Sequence, residues 1–147
     1  MSEGWLIAHY VWTYGGDVLG ILCILAAFRW GGHTERWVAG TFLAGSLLTF
    51  TVAYLRLEPV PNRHPFVMVI DMVVLAIFVT LSLRSRRPWT LVLAAFQFND
   101  VLTYPAAWLS NMDTFTFLTA LEFWSGWGLI PLLAWGTWEH ARGARQA

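Results

Sequence analysis

The chain contains no lysine, a single cysteine and little charge of either sign. Its nine arginines are balanced by nine acidic residues, and charged residues make up 12% of its 147 positions, whereas about 25% is typical of a soluble domain. A net charge of zero gives no basic surface for nucleic acid, and Cys23 alone excludes an internal disulfide or a cysteine-rich metal site. Since 57% of the residues are hydrophobic, the composition indicates a single membrane-embedded domain over residues 1–147.

Five long apolar runs dominate the sequence, and short breaks rich in glycine, proline, serine and asparagine separate them. Each run is close to the ~20 residues that cross a bilayer as an α-helix. The runs lack the strict alternation of apolar and polar residues that a membrane β-strand requires. We therefore predict an all-α integral membrane protein, a five-helix transmembrane bundle with spans at 5–28, 37–55, 66–83, 89–109 and 115–138.

The arginines are divided unequally between the two ends of these runs. Only Arg56 and Arg63 lie on the side that also holds the N-terminus. Cytoplasmic segments carry the arginine excess, so we predict a multi-pass membrane protein with its N-terminus outside and its C-terminus in the cytoplasm. The cytoplasmic side then holds Arg29, Arg36, Arg84, Arg86, Arg87, Arg142 and Arg145.

The first span is the weakest of the five, because Gly15, Gly16 and Asp17 interrupt its apolar run. This leaves open a four-span protein in which residues 5–14 form a separate helix at the membrane surface. The arginine distribution favours the crossing helix.

Polar residues inside the predicted spans are the candidates for function. A carboxyl group in the hydrocarbon region costs roughly 2.5–3.5 kcal/mol on insertion scales and normally faces a bundle interior or water. Four different spans each contain one carboxyl group, and all four groups are predicted to lie in the outer half of the bilayer or at its midplane. The spacing of Gln97, Asp100 and Tyr104 places these three residues on one face of their helix. The candidate ligand or partner pocket consists of Asp17, Asp71, Gln97, Asn99, Asp100, Tyr104, Glu122, Trp124 and Trp127.

Three interpretations of this pocket remain open at the level of sequence. The carboxyl groups can be hydrogen-bonded and hold the helices in register, or they can receive a basic or polar group from another membrane subunit. They can also carry chemistry or transport, as a proton relay, a cation site or an acid–base pair acting on a lipophilic substrate. The sequence identifies no cofactor, and we expect no metal site because the four histidines are scattered at His9, His33, His64 and His140.

Residues 31–37, 86–91 with 95–97, and 136–140 resemble a group of short bacterial inner-membrane proteins that have no assigned activity. That resemblance implies the architecture alone. In its last two helices the chain is also similar to emopamil-binding-like isomerases, through Trp127 and Pro131 and more faintly through Gln97 and Tyr104, although the second span lacks the histidine and glutamate of that family. This second resemblance implies a lipophilic substrate.

We expect a small polytopic inner-membrane protein that acts as a non-catalytic accessory or interaction subunit through an acidic pocket. The alternative is a membrane-embedded binding protein, or an acid–base isomerase or cyclase, for a terpenoid, sterol or quinone-like ligand. The expected partners are the lipid bilayer and either other membrane subunits or a lipophilic small molecule, with no nucleic acid.

Overall fold

Long helices account for nearly the whole protein. The computed structural model describes residues 3–55, 57, 65–110 and 112–146, and the side chains of residues 14–55, 57, 65–110 and 112–144. No strand occurs among these residues, so the all-helical prediction is confirmed. The helices are α1 (Glu3–Trp30), α2 (His33–Tyr54), α3 (Pro65–Ser85), α4 (Pro88–Ser110), α5 (Thr114–Leu121), a π-helical segment (Glu122–Trp127) and α6 (Leu129–Gln146). The last three form one continuous rod, which we call the fifth helix.

Local sequence signals explain where several helices begin. Pro65 and Pro88 are the first residues of α3 and α4, a position where the missing N–H of proline costs no hydrogen bond. Asp113 caps α5, because its carboxylate accepts hydrogen bonds from the hydroxyl and the backbone N–H of Thr116. These hydrogen bonds lower the pKa of Asp113, with the side-chain hydrogen bond from Thr116 as the largest cause. The described residues form five helices, as the sequence predicts.

The first helix runs without a break through Gly15, Gly16 and Asp17. Its 28 residues correspond to a length of about 42 Å at a rise of 1.5 Å per residue. Part of the reason is tertiary, since a Cβ added to Gly16 would lie 3.3 Å from the indole nitrogen of Trp127. The structure therefore contains no separate helix over residues 5–14.

The helices form a closed ring in the order α1, α2, α3, α4 and α6, with α2 also in contact with α6. Within the described part of the chain, α3 contacts only α2 and α4. The buried apolar core lies towards the arginine-rich end of the ring, around Phe78, Trp89 and Leu93. Towards the opposite end, the buried residues of α4 are polar and face α3 and α5.

Among the residues that the structure describes, three helices are long and apolar enough to cross a membrane, namely His33–Tyr54, Pro65–Ser85 and Thr114–Ala144. Many large apolar side chains on the outside of the ring are exposed, including Leu83, Leu91 and Leu109. A soluble monomer rarely exposes contiguous apolar surface of this kind, whereas a bilayer would cover it. These two features indicate a membrane protein.

Candidate functional site

Four of the predicted pocket residues form one buried cluster between α3 and α4, which we call the acidic cluster: Asp71, Gln97, Asp100 and Tyr104. The Tyr104 hydroxyl is fully buried and donates a hydrogen bond to Oδ2 of Asp71 over 2.5 Å. The Gln97 amide donates to Oδ2 of Asp100 over 3.2 Å. Asp71 is also close enough to Asp100 for the two carboxyl groups to interact electrostatically.

Helix length explains why these side chains meet. Asp71 lies six residues after Pro65 at the start of α3, and Tyr104 lies six residues before Ser110 at the end of α4. At 1.5 Å per residue both are about 9 Å from the same end of the bundle. Asp100 lies ten residues before Ser110, which places it about 15 Å from that end. The cluster therefore extends from the outer third of the ring towards its middle.

One atom of the acidic cluster is left without a hydrogen bond. Oδ1 of Asp100 is buried, and no donor reaches it from the described residues. An unsatisfied buried acceptor costs about 1–3 kcal/mol, and charging two neighbouring carboxyl groups in apolar surroundings costs more. The cluster can therefore accept one further hydrogen bond, at Oδ1 of Asp100. The described residues contain no group of three or more histidine, cysteine or acidic side chains suited to a metal.

The other polar residues of the predicted pocket do not join the cluster. The side chains of Asp17, Asn99 and Glu122 are exposed, and the amide of Asn99 donates to the Ala95 carbonyl of its own helix over 3.0 Å. Depth along each helix was predicted for all four carboxyl groups. Only Asp71 and Asp100 turn inward towards each other.

Trp124 and Trp127 lie on the π-helical segment, which the sequence analysis did not predict. Trp124 packs edge-on against Phe96 with ring centroids 5.4 Å apart, and Trp127 covers Gly16 of α1. The N–H of Gly128 donates to the Phe123 carbonyl over 2.8 Å, which is the wider hydrogen-bond spacing of a π-helix. Both indoles therefore pack between helices, and neither is placed on the acidic cluster by these contacts.

A second polar site, at the arginine-rich end of the bundle, was missed by the sequence analysis. Glu35 lies in the first turn of α2, is fully buried, and forms an ion pair with Arg87 from the α3–α4 connection. Its other oxygen, Oε2, has no hydrogen-bond partner among the described residues. Glu35 precedes the second predicted span by two residues and was therefore not among the candidate acids, which all lie inside the predicted spans. The Gly31–Gly32 pair before it was the available signal, because a Cβ on Gly32 would lie 3.0 Å from Oε2.

The fold and its buried polar residues define an all-helical protein with helices suited to a bilayer, a class that hosts many unrelated functions. Comparisons with protein-family models, with characterised proteins and with solved structures each gave no match. Function is therefore argued from the residues of this chain.

Proposed function

We propose that this protein is an accessory or interaction subunit of the membrane, which offers the outer face of α1 to a transmembrane helix of another protein. Asp17 carries this proposal. It lies 14 residues after Glu3 and 13 residues before Trp30, so that about 20 Å of helix separates it from either end. Its side chain is exposed and has no hydrogen-bond or ion-pair partner among the described residues.

The residues around Asp17 are apolar and equally exposed. Val18, Ile21, Leu22 and Leu25 each present more than half of their surface. A lone carboxyl group on such a face would meet lipid near the middle of a bilayer, at a cost of roughly 2.5–3.5 kcal/mol on insertion scales. A neighbouring helix with a basic or hydrogen-bonding side chain at the same depth removes that cost.

The acidic cluster has a structural role in this proposal. The Tyr104–Asp71 hydrogen bond joins α4 to α3, which stabilises the ring on which α1 is presented. The alternative function, binding or acid–base conversion of a terpenoid, sterol or quinone-like molecule, is favoured by the unsatisfied Oδ1 of Asp100. The small apolar cavity beside Cys23, Phe78 and Leu93 has a volume of about 10 Å³ and is lined by none of the acidic-cluster residues, so it offers these carboxyl groups no space for a lipophilic ligand. A lipophilic molecule that co-purifies with the protein and is lost in Asp100→Asn would favour the alternative.

The test uses a photo-crosslinking residue at Ile21, one turn from Asp17 on the exposed face of α1. In native membranes we expect a discrete crosslinked protein, and we expect Asp17→Asn to reduce the yield several-fold. Hydrogen bonds between membrane helices contribute about 1–2 kcal/mol, which corresponds to roughly a tenfold change in affinity.

The matched control is Asp113→Asn, which makes the same change at an exposed acid outside the apolar helices and keeps a capping side chain. It should leave the crosslinking unchanged. Crosslinks to lipid alone, or equal yields from the wild type and Asp17→Asn, would contradict the proposal.

A further inference from the structure

An open cavity of about 270 Å³ lies at the arginine-rich end of the bundle, lined by Arg87, Glu139, His140, Gly143 and Ala144. Small-molecule sites usually have volumes of about 300–1,000 Å³, so this cavity suits a group of head-group size. A basic and an acidic side chain, Arg87 and Glu139, face the same space. Neither belongs to the acidic cluster or to the exposed face of α1.

The backbone of Arg87 is held in place by its neighbours. The Arg87 carbonyl accepts hydrogen bonds from the backbone N–H and the hydroxyl of Thr90, at 3.1 and 2.7 Å. Pro88 follows Arg87 at the first position of α4 and restricts its backbone to extended conformations. The guanidinium group uses Nη1 to bind Glu35, and Glu35 is its only side-chain partner among the described residues. An arginine has five N–H donors, so donors remain for a ligand in the cavity.

Glu35 and His140 both lie beside Gly32. A Cβ on Gly32 would lie 3.0 Å from Oε2 of Glu35 and 2.7 Å from Cε1 of His140. The buried Glu35 carboxylate therefore offsets part of the charge of Arg87, and Glu139 adds a second negative charge at the cavity wall. A purely anionic ligand would be poorly matched to this balance. A ligand with a phosphate and an ammonium group would match it, with the phosphate on Arg87 and the ammonium on Glu139.

The cavity also lies where a lipid head group would be found. Trp138, on the preceding turn of α6, is exposed, and the Arg142 guanidinium lies 4.4 Å from its ring centroid. Tryptophan and arginine together are typical of the membrane–water interface. Exposed Leu83 and Leu91, near the adjoining ends of α3 and α4, would contact acyl chains.

We propose that this cavity binds the zwitterionic head group of an ethanolamine phospholipid in the cytoplasmic leaflet, with Arg87 holding the phosphate and Glu139 holding the primary ammonium group. The inference rests on the membrane location in the proposed function and on the orientation predicted from the arginine distribution, but it does not require a protein partner. His140 forms the wall between the cavity and Glu35, and Gly143 leaves the entrance open because it has no side chain.

The test measures lipid binding by native mass spectrometry of the purified protein in a neutral detergent. The probes are phosphatidylethanolamine, phosphatidylglycerol, phosphatidylcholine and soluble phosphoethanolamine at one ionic strength. We expect phosphatidylethanolamine to bind most tightly. Arg87→Lys should weaken its binding about tenfold, because lysine keeps the charge beside Glu35 but loses the forked donors that an arginine offers to phosphate.

Glu139→Gln distinguishes a zwitterionic ligand from an anionic one. It should weaken the binding of phosphatidylethanolamine and strengthen the binding of phosphatidylglycerol. Glu139 is exposed and is not part of the buried core, so this variant also tests the proposal if Arg87→Lys fails to fold. Arg84→Lys is the matched control, because Arg84 is exposed at the end of α3 and does not line the cavity.

Several outcomes would overturn the proposal. Equal binding of the three lipids, or equal effects of Arg87→Lys and Arg84→Lys, would show that the cavity is not a specific site for the ethanolamine head group. Phosphoethanolamine that binds as tightly as the lipid would assign the cavity to a soluble molecule instead. Failure here is distinguishable from failure of the accessory function, because that function is read from crosslinking at Ile21.

Discussion

At the scale of single residues, the acidic cluster is the feature most sensitive to substitution. Gln97, Asp100 and Tyr104 are buried and Asp71 is half-buried, and each hydrogen bond replaces one that water would otherwise provide. Removing a donor leaves a buried carboxyl oxygen unsatisfied, which costs more than the net gain from the hydrogen bond itself. The same reasoning applies to Arg87, because its loss would leave Glu35 buried without its counter-charge.

Tyr104→Phe should lower the free energy of unfolding by about 1–3 kcal/mol, because it removes the donor to Asp71 and leaves Oδ2 unsatisfied. Unfolding in mixed detergent measures the effect. Tyr54→Phe is the control, since Tyr54 is 77% exposed, and it should change stability little. If the hydrogen bond is the cause, adding Tyr104→Phe to Asp71→Asn should cost less than it does in the wild type. Additive effects would contradict this assignment.

At the scale of elements, glycines set how closely the fifth helix approaches α4. A Cβ on Gly128 would lie 2.2 Å from the Phe96 ring, and a Cβ on Gly136 would lie 2.5 Å from the Trp89 ring. Pro131 contributes too, because it lacks the N–H that would bind the Trp127 carbonyl in a regular α-helix. The π-helical segment ends at Trp127, the residue whose carbonyl Pro131 leaves free, which is consistent with a local change of hydrogen-bond spacing.

Gly136→Ala tests this packing, with Gly143→Ala on the same helix as its control. Alanine favours a helix over glycine by about 1 kcal/mol at both positions, and a Cβ on Gly143 meets nothing within 4 Å. We expect Gly136→Ala to be about 1–3 kcal/mol less stable than Gly143→Ala, because overpacking displaces the buried Trp89. Unfolding measured in the same detergent compares the two variants. Equal stabilities would show that Trp89 can move aside without cost.

At the scale of the whole molecule, two polar sites lie at opposite ends of one ring, with the apolar core near the arginine-rich end. The acidic cluster joins α3 to α4, and the Glu35–Arg87 pair joins the start of α2 to the α3–α4 connection. Because each site links different helices, we expect the ring to unfold cooperatively. The orientation of this ring across the bilayer stays a prediction from the arginine distribution.

Single-cysteine labelling tests that orientation, in a background where Cys23→Ser removes the natural thiol. With a membrane-impermeant maleimide applied to intact spheroplasts, Ser110→Cys should react at once because it lies at the N-terminal side of the bilayer. Gly143→Cys should react only after the membrane is permeabilised. Both positions are exposed in the folded protein, so access to the thiol depends on the side of the membrane alone. The reverse pattern would contradict the arginine-based orientation.

The pattern of apolar runs is enough to predict the number, type and approximate limits of the helices. Apolar runs of this length satisfy their backbone groups in a bilayer only as helices, and Pro65, Pro88 and Asp113 mark three of the starts. The sequence also predicts how far along its helix each carboxyl group lies, because that distance follows from counting residues at a constant rise.

Which of the carboxyl groups contact one another depends on the packing of the helices and could not be predicted from the sequence. Rotation of a helix about its own axis is set by its neighbours, so Asp71 and Asp100 turn inward while Asp17 faces outward. Helix packing also brings Arg87 to Glu35 across 52 residues of sequence. No pattern within one helix encodes such a contact, because it depends on how three separate helix ends pack together.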